Sequence, residues 1–170
     1  VQLGHQVTVL TTAHPEGVEC EEQLGFTVHY LSPSRPRTLS RSWFIQSRRF
    51  IEEVHSENPI DVIHSNQFAA YGVLSWARKR KIPIAVVCHG SMRTGILSFF
   101  SSADLRPRYW HWLLLTPLHI LKRALIWEIP IRRNASSIIL VSPTLKRDFR
   151  LFCRGKLRVI ENGIALPKLP

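Results

Sequence analysis

Pro59-Ile60-Asp61-Val62-Ile63-His64 and, about twenty residues later, Ile84-Ala85-Val86-Val87-Cys88-His89-Gly90 decide how this chain folds. Each is a short apolar run that stops abruptly at polar residues. A run that is apolar without alternation predicts a strand covered on both faces, the mark of a parallel sheet in an α/β protein. The stretch from Phe68 to Lys81 between them predicts a buried helix, apolar nearly all round its middle. Its last turn, Arg78-Lys79-Arg80-Lys81, complements the negative end of a helix dipole. In such sheets ligands gather beyond the carboxyl ends of the strands. His64 and His89-Gly90 are expected there, which points to a small-molecule site.

The same alternation extends in both directions. Gln6–Thr11 and Phe26–Leu31 read as strands, with a loop at His14-Pro15-Glu16-Gly17 and another from Ser32 to Arg37. Val1-Gln2-Leu3-Gly4 reads as the last turn of a helix with Gly4 at its C-cap. Ser40 is placed to cap a helix running to about Ser56, with Trp43, Phe44, Ser47, Phe50, Ile51 and Val54 on one face. Asn58-Pro59 stops it. Ser137–Val141 is a further buried strand, and Ser142-Pro143 a helix start. That helix turns Leu145, Phe149 and Phe152 inward and Lys146, Arg147, Arg150 and Arg154 outward. Leu157–Ile160 is the last strand, ending at Glu161-Asn162-Gly163. Strand and helix alternate, so the expected architecture is α/β, a doubly wound parallel sheet.

With 170 residues, 45% of them hydrophobic, the chain suits one domain with a sizeable core. Its net charge of +11 is uneven: residues 61–170 hold 18 of the 23 basic residues and 5 of the 12 acidic ones. Such a surface attracts anionic lipid or phosphorylated substrates. Nucleic acid is disfavoured, because no recognition motif and no regular interleaving of cations with aromatics occurs. Cys20, Cys88 and Cys153 are widely spaced without a CxxC pair, which argues against a disulfide framework or a zinc site and suits a cytoplasmic, reducing setting. G-x-S-x-G, HExxH, P-loop and G-x-G-x-x-G motifs are all missing from the sequence. The polar residues at strand ends remain: Ser65 and Asn66, His89 and Gly90, Ser142, Asn162 and Gly163, with Arg93 in the loop after Gly90. A glycine admits close backbone approach and an imidazole bonds a hydroxyl, so His89-Gly90 leads this group.

From Pro107 to Arg133 the chain is strongly apolar and aromatic, punctuated by Pro117, Lys122, Arg123, Glu128 and Pro130. Lys122-Arg123 near its middle fits a membrane span poorly. Trp110 and Trp112 together with Lys122 and Arg123 suit a helix lying in a lipid interface; a core-packing helix pair kinked at Pro117 is the alternative.

Gly4-His5-Gln6-Val7-Thr8-Val9-Leu10-Thr11 resembles the G-H-x-V-T-V-L-T phrase of family 4 glycosyltransferases. Asp61–His64, Pro83–Gly90, Ile138–Ser142 and Val159–Ile164 match further phrases of that family, in order and at similar spacing. The resemblance is to the N-terminal, acceptor-side, Rossmann-like domain of a two-domain GT-B enzyme. It implies transfer of a sugar from a UDP- or GDP-sugar donor to a lipid-linked or glycan acceptor, with retention at the anomeric carbon and with no metal or tightly bound cofactor. His89 then matches the histidine that contacts the transferred sugar. Gly90, Ser65, Asn66, Arg93, Ser142, Asn162 and Gly163 line the substrate side. Trp110, Trp112, Lys122 and Arg123 fall where lipid-using members keep acceptor and membrane contacts. Glu128 matches a glutamate common in its helix, with a structural role.

On this reading residues 1–163 are the domain and 164–170 begin the interdomain linker. The family's first strand with its glycine-rich loop, and its donor-binding C-terminal domain, lie outside the sequence, so this stretch alone is expected to transfer little or no sugar. Asn66 stands where the family often has a second histidine. The implied location is cytoplasmic, peripheral on the inner face of an anionic membrane. The competing expectation is a non-catalytic membrane- or anion-binding module that kept the fold.

Overall fold

Two sheets hold the strands of this computed structural model, which describes residues 3–32, 34–102, 110–150, 153 and 156–163. In chain order the elements are β1 (Thr8–Thr12), β2 (Cys20–Gln23), β3 (Phe26–Leu31), α1 (Arg41–Glu57), β4 (Ile63–Asn66), α2 (Leu74–Lys79), β5 (Ile84–Cys88) and α3 (Met92–Ser102). There follow α4 (Trp110–Arg123), α5 (Ile129–Asn134), β6 (Ser137–Leu140), α6 (Lys146–Phe149) and β7 (Leu157–Val159). Four strands pair in parallel in the order β4-β5-β6-β7; β1 pairs in parallel with β3, and β2 lies antiparallel on the other side of β3.

The α/β architecture and its parallel sheet are as the alternation predicts, but the sheet is divided. Among the described residues no hydrogen-bonded pairing joins β1 to β4. Helix α1 bridges them. Near its start Trp43 Nε1 donates to the Ala69 carbonyl just after β4 (3.0 Å), and past its end Asn58 Nδ2 donates to Gln6 Oε1 just before β1 (2.6 Å). One helix therefore returns from the exit of β4 to the entrance of β1, so the two strands run the same way. The end strands β4 and β7 of the four-stranded sheet are less covered than β5 and β6 between them. Val62, expected inside a strand covered on both faces, is 56% exposed beside β4, whereas Ile84, Val86 and Cys88 of β5 are buried. β4 begins only at Ile63, so Val62 lies before the strand and not within it.

The main core joins Val73, Leu74, Trp76 and Ala77 to Ile84, Val86, Ile138, Leu140 and Phe149. A second cluster, Leu31, Trp43 and Phe44, packs beneath α1. The α1 boundary follows the sequence: Ser40 Oγ accepts from Trp43 N at 3.3 Å as the N-cap. The single helix expected from Phe68 to Lys81 is instead a 3-10 turn (Ala69–Val73) leading into α2. A Cβ at Gly72 would lie 2.3 Å from the Phe44 carbonyl oxygen, so backbone approaches backbone there. Gly4 has φ +79°, the left-handed conformation of a C-cap glycine; Val1 and Gln2 lie outside the described residues.

Within the stretch expected to be either interfacial or core-packed, the described residues are exposed in α4 and buried toward α5. Pro117 sits inside α4 without ending it, and a π turn (Ala124–Glu128) continues the chain into α5. Leu115, Leu118, Leu121, Leu125 and Ile126 are exposed, while Glu128, Ile131 and Arg132 are buried. The wider π turn rotates the apolar face between these halves. Among the described residues no helix is long and apolar enough to cross a membrane.

Candidate functional site

Parallel pairing opens the carboxyl ends of β4, β5, β6 and β7 onto one edge. The register aligns Asn66 with Val87, and Cys88 with Leu140, which in turn faces Val159. Just beyond, Gln67 N donates to the Val87 carbonyl (2.9 Å) and Ile160 N to the Leu140 carbonyl (3.0 Å). His89 is the first residue past β5 and is exposed on this rim. Gly90 follows, half-buried, and a Cβ there would meet nothing nearer than Thr94 Oγ1 at 3.8 Å. That is ordinary van der Waals contact, so a Cβ would fit there, and the glycine leaves that volume to a ligand approaching the backbone.

Ser142 leaves the neighbouring strand β6; its Oγ accepts from Thr144 N (3.3 Å) and lies 2.7 Å from Thr144 Oγ1, so it caps the next turn as its Ser-Pro sequence predicts. Asn162 and Gly163 are exposed beyond β7, two strands or about 10 Å from β5. Asn66 is exposed at the end of β4. His89, Gly90, Ser142, Asn162, Gly163 and Asn66 thus share the rim.

Two expected residues do not. His64 pairs with Ala85 in the body of β4, short of the strand's end, because β4 continues to Asn66. Ser65 is buried, and its Oγ accepts from Ala70 N at 3.0 Å, which ties the 3-10 turn to the strand. Arg93 is near the rim, but its guanidinium is engaged: Nη1 donates to Asp148 Oδ1 at 2.6 Å. Lys122 and Arg123 are exposed on α4, and the Arg123 guanidinium lies 5.0 Å from the Trp127 ring centroid. Trp110 and Trp112 are at the start of α4, their side chains outside the description, as are Phe152, Arg154 and the linker at 164–170.

The residues that hold the rim together were not read from the sequence. Asp148 accepts from Ser91 Oγ (2.7 Å) as well as from Arg93. Burial alone would raise its carboxyl; the bonds from Ser91 and Arg93 and the charges of Arg93 and Arg147 outweigh that and hold it below the ordinary value of 3.8. Beneath it, Arg132 donates to the Asp148 carbonyl (2.8 Å) and pairs with buried Glu128. That gives Glu128 the structural role expected of it. Burial lowers the Arg132 guanidinium and pushes the neighbouring Cys88 thiol up to about 11. One signal was available: Asp148 is an acid among Lys146, Arg147 and Arg150.

Among the described residues no three His, Cys, Asp or Glu side chains gather as a metal site. A groove of about 650 Å³ between α2 and α5, lined by Tyr71, Ser75, Arg78, Lys79, Pro130 and Asn134, contains none of the rim residues.

The profile of Glycosyltransferase Family 4 matches residues 1–167. The chain belongs to glycosyltransferase family 4. The fold of this glycosyltransferase domain is shared with solved structures of sucrose-phosphate synthase from Thermosynechococcus elongatus. One is 14% identical with a TM-score of 0.59, covering 95% of this chain and 78% of that one. Another is 18% identical with a TM-score of 0.59, covering 96% of this chain and 39% of that one. The glycosyltransferase domain thus spans about two fifths of that second chain. No curated protein matches it.

Proposed function

We propose that this glycosyltransferase domain is the acceptor-side half of a retaining GT-B enzyme. It moves a sugar from a nucleotide-sugar donor to a lipid-linked or glycan acceptor at a membrane surface. The observation that carries this reading is the position of His89: exposed, first beyond a central parallel strand, beside the half-buried Gly90. There the imidazole bonds a hydroxyl of the sugar in transfer, and the Gly90 backbone lies close to it. Ser142, Asn162 and Asn66 line the same rim. A donor-binding domain following the linker at 164–170 closes the opposite wall.

The membrane part of the reading rests on α4. Leu115, Leu118, Leu121 and Leu125 recur at three- and four-residue spacing, all exposed, with Lys122 and Arg123 alongside. Such a face buries leucines in the acyl boundary while its cations meet anionic headgroups. It lies on the inner, cytoplasmic side, where Cys20, Cys88 and Cys153, which form no disulfide, stay reduced.

Two measurements test this. In the complete transferase, His89→Ala lowers kcat/KM at least a hundredfold; a change within about threefold, under 1 kcal/mol in barrier, rejects the role. In flotation, the domain binds vesicles containing anionic lipid and releases them with salt, and Leu118→Asn with Leu121→Asn abolishes binding. Vesicle binding by a complete protein that transfers no sugar favours the non-catalytic module instead.

A further inference from the structure

The loop that carries His89 is held from a helix 57 residues away in sequence. Only His89 and Gly90 separate buried Cys88, the last residue of β5, from Ser91. Ser91 is buried and its bonding capacity is used. Its Oγ accepts from Thr94 N (3.0 Å) and donates to Asp148 Oδ2 (2.7 Å), while its N–H donates to Thr94 Oγ1 (3.0 Å). Arg93 Nη1 binds the other carboxylate oxygen at 2.6 Å. The Asp148 side chain is 6% exposed against 52% for Arg93, so the carboxylate is the buried anchor and the arginine its cover. Asp148 is itself fixed from below, its carbonyl accepting from Arg132 on α5 at 2.8 Å.

We infer that Asp148 is a positioning residue: by gripping Ser91 and Arg93 it sets where His89 and Gly90 stand on the rim. The need for such a grip follows from Gly90. A glycine beside a functional side chain widens the backbone's freedom, and an anchor one residue further on removes it. The grip also couples the loop after β5 to the helix after β6, so His89 and Ser142 keep their spacing. The consequence for transfer rests on the role proposed for His89, whereas the grip itself is measurable without any activity.

The test uses the full chain with Asp148→Ala and Arg93→Gln. Amide hydrogen exchange is followed for residues 89–95, with 84–87 and 137–140 as strand references, and the His89 ring resonance is assigned through His89→Gln. Asp148→Ala is expected to speed exchange in 89–95 at least tenfold, to leave both strands within twofold, and to shift the His89 resonance. Arg93→Gln, which removes a half-exposed side chain and half of the grip, is expected to act in the same direction by threefold or more; it carries the test if Asp148→Ala does not fold. Loop exchange that stays unchanged, or rises in step with the strands, overturns the inference. In the complete transferase the same variants lower kcat more than they change KM. A loosened loop with kcat unchanged upholds the grip and instead removes His89 from the reaction.

Discussion

The Arg132 guanidinium lies 3.9 Å from the centroid of the Phe149 ring, so one cation on α5 covers a buried aromatic of α6. The same guanidinium pairs with buried Glu128 and donates to the Asp148 carbonyl. Arg132 therefore joins the π turn, α5 and α6 directly under the rim that carries His89.

Arg132→Met removes the cation that pairs with buried Glu128. Breaking a buried pair from one side costs about 3–5 kcal/mol, whereas replacing both partners by apolar groups of similar volume is far milder. Urea unfolding is expected to show a loss in that range for Arg132→Met. The double variant Glu128→Leu with Arg132→Met is expected to recover at least half of it.

Asp148 makes stability depend on acid. Its folded carboxyl lies below the ordinary value, so its contribution is complete above the unfolded pKa and is lost as pH falls through the folded one. The stability gap between the native chain and Asp148→Asn should therefore hold constant above about pH 5 and close below about pH 3.8. Urea midpoints measured across that range check the sign.

Burial pushes the Cys88 thiol up to about 11, with Arg132 opposing and Cys153 adding to the rise. At pH 8 only about one such group in a thousand is the reactive thiolate. Iodoacetamide is expected to label exposed Cys20 quickly and to spare Cys88 until the chain unfolds. Peptide mass spectrometry with and without urea reads this directly.

Gly72→Ala places a Cβ 2.3 Å from a backbone oxygen, and neither partner is a flexible side-chain end. Either α1 or the 3-10 turn must move, at a cost of about 1–3 kcal/mol. Thermal unfolding is expected to show that loss, with far-UV circular dichroism unchanged.

Much of the fold was legible because its signals are local. Apolar runs at Ile84–Cys88 and Ser137–Leu140 became central strands, and Ser40 and Ser142 cap where their sequences say. β2 was missed: Cys20-Glu21-Glu22-Gln23 has no apolar alternation, all four residues are exposed, and the strand exists through pairing with β3. The turn joining them is equally unmarked, with Leu24 at φ 44° before Gly25 at φ 85°, where Asn-Gly or Asp-Gly would have announced a hairpin. The close approach of Gly72 to the Phe44 carbonyl is likewise something that nothing near Gly72 in sequence reveals.

By itself the sequence determined the alternation of strand and helix, the parallel sheet of covered apolar strands and the emergence of His89-Gly90 at a strand end. All of these follow from the order of apolar and polar side chains over a few residues. Only the tertiary structure decided that the strands fall into two sheets, that Ser65 is interior, and that Asp148 grips the loop of His89. Those depend on which distant backbone edges and side chains meet, and a lone acid among cations at Asp148 does not say that its partner lies 57 residues away.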